Sequence, residues 1–256
     1  MLYEEERKAK IVEYIKKHSS ESVQQLAKKF GVSESTIRRD LTELEEAKYI
    51  KRTHGGAVKL EVVNYEPSYN EKEVKFAKEK ECIAKKAVEF INNGDTILLD
   101  SGTTTQFLAK ELKQFSHLTI VTNSLMIANE LAGLNDIEII VVGGILRKNT
   151  LALAGSIAEE VFKVLRVDKA FIATNGIDLK EGLTTPSVIE AYTKKKMLEI
   201  SKQVFLLTDH TKVGKVAFVK FGNIEEINYL IIDNKVDKDT VKNIREKEID
   251  VFVVNT

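Results

Sequence analysis

The sequence predicts an α/β protein in two unequal parts. A small N-terminal helical unit ends in a β-ribbon, and a mostly parallel sheet covered by helices follows. Three observations carry this prediction. Apolar residues recur at helical spacing up to about residue 46, and glycine is absent before Gly31. Residues 59–72 (KLEVVNYEPSYNEK) hold one of only two prolines and show no period, as a linker does. Beyond them, strand-length apolar runs alternate with helical segments, the signature of a parallel sheet. The expected boundaries are 1–58, a linker at 59–72, and 73–256.

The elements follow in order. Ile11, Val12 and Ile15 form one apolar stripe, Val23, Leu26, Ala27 and Phe30 a second, and Ile37, Leu41 and Leu44 a third. They place helices at roughly 4–17, 22–30 and 34–46, with a ribbon over 49–58 turning at Gly55-Gly56. A polar helix fits 73–92 and ends at Asn93-Gly94. Strands fit 96–99, 118–121, 137–142, 170–173, 204–207, 230–232 and 251–254. Helices fit 104–113, 124–132, 156–165, 187–200 and 238–246. Short, fully apolar strands suit a sheet buried on both faces.

Composition narrows the function classes. The chain has 256 residues, 43% of them hydrophobic and 30% charged, which is globular and excludes a disordered or collagen-like protein. Lys+Arg and Asp+Glu both number 39, so bulk charge advertises no nucleic-acid partner, although a local basic face remains open. The single cysteine, Cys82, cannot form an intrachain bridge and reads as a half-buried helix residue. His18, His54, His117 and His210 are scattered without ligand spacing, so neither a metal nor a cofactor is expected. The charged N-terminus and the shortness of the apolar runs argue against a signal peptide or a membrane span and for a cytoplasmic protein.

The stretch VQQLAKKFGVSESTIRRDLTEL is the sharpest signal. Gly31 can take the left-handed backbone of a tight turn, Val32 returns to the core, and Ser33 can cap the next helix. That is a helix–turn–helix. With Ile37, Leu41 and Leu44 inward, Ser35, Arg39 and Thr42 point out, flanked by Thr36 and Arg38. Hydroxyls and arginines on such a face can read bases and phosphates in a major groove. The plain alternative is a solvated helix with its arginines bonded to Asp40 or Glu43. Lys51, Arg52 and His54 precede the glycine turn and suit a wing along the DNA backbone or minor groove. Residues 1–58 hold 12 basic and 10 acidic side chains, so affinity must come from placement and from more than one copy of the unit.

In the large part, polar loops fall at the carboxyl ends of strands, where open α/β sheets bind ligands. Asp100, Ser101, Gly102, Thr103, Thr104 and Thr105 open a helix after the first strand. Free amides, the helix dipole and hydroxyls there attract phosphate, although the loop is neither a Walker loop nor GxGxxG. Asn123 follows the second strand, Gly143-Gly144 with Arg147 the third, and Asn175-Gly176 the fourth. Together they favour a small phosphorylated ligand, with Arg147 able to clamp an oxyanion. Glu190 and Lys194, four apart on one helix, could face the pocket, although an exposed ion pair is the commoner outcome of that spacing. Asp209 and Lys212 lie in a loop, TDHTKVGK, that could face pocket or solvent.

The stretch VSESTIRRDLTELEEAKYIKRTHGGA resembles the N-terminal winged helix–turn–helix of the DeoR family of bacterial transcriptional regulators. Ala47-Lys48-Tyr49 stands where a glycine is usual before the wing. DSGTTT, VTNS, VGGILR, VDKAFIATNGID, GLTT and TDHTKVGK extend the resemblance across roughly 74–235. The resemblance implies a sheet domain like that of ribose-5-phosphate isomerase, which senses a phosphorylated sugar without converting it. It implies that the TIRRDL helix reads double-stranded operator DNA. It also implies that the DSGTT loop and Arg147 hold phosphate, and that Asn123, Asn175, Glu190 and Lys194 contact the sugar. A symmetric operator favours a homodimer or homotetramer.

The expected function is therefore a sequence-specific regulator, a repressor of a sugar-utilisation operon, with no catalytic residues. Its rival is a sugar-phosphate isomerase or deaminase with an appended DNA-binding-like domain. That chemistry needs a carboxylate base, for which Asp178 and Glu190 are the candidates because Asn175 cannot abstract a proton. A ligand-independent architectural DNA-binding protein is a third reading, disfavoured by the set of polar loops.

Overall fold

The computed structural model describes residues 4–18, 20–47, 49–53, 55–59 and 66–256. The chain divides into two compact units, Met1–Val62 and Val63–Thr256. His54, expected at the wing, lies outside the described residues, as do residues 60–65 of the expected linker.

The first unit contains α1 (Glu4–His18), β1 (Ser20–Ser22), α2 (Val23–Phe30), α3 (Glu34–Glu46), β2 (Ile50–Thr53) and β3 (Gly56–Lys59). The three apolar stripes meet in one core, where Ile11, Ile15, Leu26, Ile37 and Leu41 are completely buried. The ribbon gains a third strand, because β1 pairs with β3 in the order β1-β3-β2. One polar pair is buried beside this core. Arg7 donates two hydrogen bonds to Asp40, at 2.6 and 3.0 Å, and Asp40 is fully buried. The bidentate fork satisfies both carboxylate oxygens in a place where an unpaired charge would be costly.

The second unit begins with α4 (Tyr69–Val74) and α5 (Ala77–Val88). The helix expected over 73–92 is thus two helices. They part at Lys75-Phe76, where Phe76 takes φ 54°, and Lys80 donates to the carbonyls of Lys72 and Lys75 (2.6 Å to the latter). Next come β4 (Thr96–Leu99), α6 (Thr103–Glu111), β5 (Leu118–Thr122), α7 (Leu125–Leu131) and β6 (Ile137–Val141). A hairpin, β7 (Ile145–Arg147) and β8 (Ala152–Ala154), precedes α8 (Ser156–Val164). The remainder is β9 (Val167–Ala173), β10 (Gly176–Asp178), β11 (Gly182–Thr185), α9 (Val188–Glu199), β12 (Ser201–Thr208), β13 (Val219–Gly222), β14 (Tyr229–Asp233), α10 (Lys238–Arg245) and β15 (Asp250–Val254).

The seven expected apolar runs all lie in one parallel sheet, ordered β15-β14-β12-β9-β4-β5-β6. Strand periodicity splits its side chains between two cores. Ile97, Leu99, Phe171, Phe205 and Leu207 face α5, α6 and α7, while Leu98, Ala170, Ile172, Leu206 and Ile232 face α8, α9 and α10. Two smaller antiparallel pieces, β7-β8 and β10-β11-β13, carry loops beside the sheet. The chain runs outward from β4 through β5 and β6, then returns to the other side of β4 with β9. That reversal is a topological switch point, and the crevice beyond the carboxyl ends of β4 and β9 is where such sheets bind ligands. No helix among the described residues is long and apolar enough to cross a membrane.

Candidate functional site

On the first unit, α2 ends at Gly31 with φ 65°, and Ser33 caps α3 by accepting from the Thr36 amide at 3.2 Å. The Ser33 hydroxyl also lies 2.8 Å from that of Ser35 and 2.9 Å from that of Thr36. Ile37, Leu41 and Leu44 are buried, whereas Ser35, Arg38 and Arg39 are exposed. The arginine side chains are 51% and 62% exposed and, among the described residues, are held only by surface pairs, Arg38 with Glu34 at 3.1 Å and Arg39 with Glu4 at 3.7 Å. Asp40 and Glu43 bond elsewhere, to Arg7 and Lys8. Thr42 and Arg52 are less free. Arg52 donates to the Thr42 hydroxyl at 2.8 Å, joining ribbon to helix, and Thr42 donates to the Arg38 carbonyl. Arg52 is therefore a brace for α3 as well as a charge near the ribbon.

In the second unit the loops after β4 and β9 meet at Asp100. Its carboxylate accepts from the Ala173 amide at 3.0 Å and from Lys194, whose ammonium also donates to the Ala173 carbonyl at 2.9 Å. Asp100 is fully buried and Lys194 nearly so. The other oxygen, Oδ1, has no hydrogen-bond partner among the described residues. Above it α6 starts at Gly102 without a side-chain cap, so its first-turn amides keep their donors. The glycine allows close approach: a Cβ there would lie 2.8 Å from that of Ala173. Thr105 is spent on structure, donating to the carbonyls of Asp100 and Gly102. Thr103 and Thr104 line the same buried turn.

Asn123 clamps loops together. It accepts from the Ser101 amide at 3.1 Å and donates to the Leu153 carbonyl at 3.0 Å. Both ends of its amide are thus engaged within the protein. Asn175 is half-buried and accepts from the Thr185 hydroxyl at 3.2 Å. Gly176 packs against the Lys215 carbonyl, and Gly144 against the backbone of Ala154, both too close for a side chain. Gly143 makes no comparably tight contact.

Glu190 and Lys194 do not form the surface pair their spacing allows. Both are buried, and each turns to a different partner one helical turn apart on α9. Glu190 accepts from the Thr150 hydroxyl at 2.6 Å and lies 3.0 Å from Arg147 Nε. Burial first, and then the neighbouring Glu66, push the Glu190 carboxyl above its usual range. Arg147 also donates to Glu66 at 2.7 Å, so its guanidinium bridges two carboxylates. Lys212 is half-buried and makes no side-chain hydrogen bond or ion pair among the described residues. Burial, together with Lys215, Lys72 and Lys75, pulls its pKa down. Asp178 is engaged within its own turn. Its carboxylate accepts the Lys180 and Glu181 amides in the β10–β11 turn, which keeps it below the usual carboxylate range.

Glu66 and Thr150 carried no sequence signal, since the one lies in the aperiodic linker stretch and the other in a hairpin turn. No group of three or more metal-ligating side chains is found among the described residues.

Known proteins resemble this chain along its length. Residues 7–62 match the DeoR-like helix-turn-helix domain, and residues 75–234 match the DeoR C terminal sensor domain. The HTH-type transcriptional regulator GlpR of Haloferax volcanii is 39% identical over 246 residues, 96% of this chain and 96% of that protein. The lactose phosphotransferase system repressor of Staphylococcus epidermidis is 38% identical over 233 residues, 90% of this chain and 92% of that protein. Among solved structures, a D-ribose-5-phosphate isomerase in complex with phospho-erythronic acid aligns over 54% of each chain at 19% identity, with a TM-score of 0.40.

Proposed function

This chain belongs to the DeoR family of DNA-binding transcriptional regulators, and from that premise we propose that it represses a sugar-utilisation operon and that a phosphorylated sugar changes its operator affinity. The observation that carries the sugar-phosphate assignment is Asp100. A buried carboxylate oxygen without a partner needs a donor, and a sugar hydroxyl is one. It lies under the uncapped start of α6, whose amides suit a phosphate. Ser101, Thr103 and Thr104 would line the phosphate end, with Arg147 as the cation that meets its charge. Asn175, Lys194 and Glu190 would face the sugar, with Asn123 fixing the loops. Lys212, a half-buried cation without an ion pair among the described residues, would add charge. The name of the S. epidermidis relative supports a sugar-linked repressor.

On the DNA side, Ser35, Arg38 and Arg39 would contact the major groove from α3, with Ser33 and Thr36 at its cap. Thr42 and Arg52 would act chiefly by holding ribbon and helix together. We propose a cytoplasmic homodimer or homotetramer. Exposed Ile145, Ile157 and Ile189, the first and last meeting at Gly155, support burial against a second copy. The site would sense and not turn over its ligand. Asp178 is committed to its turn, and Glu190 is committed to Thr150 and Arg147.

The test is fluorescence anisotropy on labelled DNA from upstream of the protein's own operon, at fixed salt, with sugar phosphates added singly. One compound should shift operator affinity by about 5–150-fold, the usual range of such coupling. DNA binding that no sugar phosphate alters would remove the effector assignment. Sustained turnover of a bound sugar phosphate would restore the isomerase reading.

A further inference from the structure

Residues 66–76 do not behave as a free linker. The segment begins four positions beyond Val62, the last residue of the DNA-binding unit. Its Glu66 side chain is only 5% exposed, with one carboxylate oxygen 2.7 Å from Arg147 and the other 3.3 Å from Lys72. The Tyr69 amide donates to the Asn149 carbonyl at 2.6 Å. Ser68 and Glu71 form a capping box that starts α4, and α4 packs on α6, the helix of the anion loop. At the far end, buried Lys80 ties the Lys72 and Lys75 carbonyls. The segment is a strap fastened at both ends.

Its first fastening uses the chemistry an effector would use. A guanidinium fork binds carboxylate and phosphate alike. In the ion pairs that join the strap and the sheet loops among the described residues, three cations (Arg147, Lys72 and Lys194) face three carboxylates (Glu66, Glu190 and Asp100). Withdrawing Glu66 leaves Arg147 with Glu190 alone, and an incoming anion restores the balance. Glu190 also gains when Glu66 leaves, because two carboxylates on one guanidinium repel.

Resting on the sensor reading above, we infer that Glu66 is an internal stand-in for the anionic group of the effector. A ligand anion displaces it from Arg147, and that exchange unfastens the strap leading to the DNA-binding unit. Ligand binding and operator affinity would then be coupled through one ion pair, and by linkage each would act on the other.

The experiment uses the full-length protein with inorganic phosphate as the probe, so the identity of the sugar does not matter. Calorimetric titration at constant ionic strength compares wild type with Glu66→Gln, which keeps shape and removes charge. The variant is expected to bind phosphate at least about fivefold more tightly, the low end of typical coupling. Hydrogen exchange on the wild type supplies a readout that needs no variant. Saturating phosphate should speed exchange of the Tyr69 amide, whose bond to Asn149 belongs to the strap. Equal phosphate affinity in the two proteins, no phosphate binding by either, or unchanged Tyr69 exchange would each overturn the inference. The sugar-phosphate response of the operator complex is measured separately. A response that survives in Glu66→Gln at wild-type size, with unchanged phosphate affinity, overturns the strap and leaves the sensor reading standing. Absence of any response removes the sensor reading itself.

Discussion

The two units present their candidate functional side chains in opposite ways. Among the described residues, the small unit buries the charged pair Arg7–Asp40 and leaves Arg38 and Arg39 in solvent with surface partners. The sheet unit buries Asp100, Glu190 and Lys194, joining Asp100 to Lys194 and the Ala173 backbone and Glu190 to Thr150 and Arg147. The contrast follows from the ligands. A duplex is a surface that an exposed helix must approach, whereas a small polar molecule is gripped by groups already desolvated and oriented. Surface groups are cheap to keep and individually replaceable. Buried groups must be satisfied, so each constrains several loops.

Substitutions can break or sharpen this contrast. The largest effect is expected at Asp40. Asp40→Ala leaves Arg7 buried without its partner and should destabilise the DNA-binding unit by about 3–5 kcal/mol. Thermal unfolding followed by hydrogen exchange should show that loss confined to residues before Val62. Equal loss in the sheet unit would deny that the units are separate in energy. Next is Thr104→Glu, which puts a like charge in the loop proposed to hold the phosphate and should weaken sugar-phosphate binding by several kcal/mol. Wild-type ligand affinity in a folded variant, measured by calorimetry, would move the phosphate elsewhere.

Arg39→Ala should weaken operator binding by about 1–3 kcal/mol while leaving ligand affinity unchanged. Anisotropy and calorimetry on the same preparation separate the two, and unchanged operator affinity would remove Arg39 from the interface. The smallest effect is a pH slope from Lys80. Burial lowers its pKa to about 8, below the ordinary value near 10.4 that it regains on unfolding. Between those values the unfolded chain binds more protons, so this group makes stability rise with pH. The slope approaches about 1.4 kcal/mol per pH unit within the window. Denaturation of wild type and Lys80→Met from pH 7 to 10 should differ by that rising trend, and parallel curves would place Lys80 in solvent.

Much of the architecture was legible because it repeats locally. Each of the seven apolar runs became a strand of the main sheet, since a strand buried on both faces has little choice but continuous Val, Ile, Leu and Phe. The helix–turn–helix was legible for a related reason. Gly31, Ser33 and the Ile37–Leu41–Leu44 stripe each meet a requirement of neighbouring backbone. The short antiparallel pieces were not. β7 and β8 have three residues apiece, too few for a period to show. The break at Phe76 was hidden as well, because Lys80 and the strap hold it in place and nothing in the local composition does.

The sequence by itself determined the two-part plan, the helix–turn–helix with Arg39 outward and Arg38 on its flank, and the polar loops at the strand ends. Those features depend on periodicity, capping and turn chemistry, which act over a few residues. Only the tertiary structure decided the partners. Glu190 and Lys194 looked like a pair and are not one, because each is drawn to a charge brought from far along the chain: Arg147 for one, Asp100 for the other. Glu66 looked like linker and is seated on Arg147, 81 positions away. Long-range Coulomb pairing in a buried crevice depends on which loops the sheet order brings together, and no local pattern encodes that order.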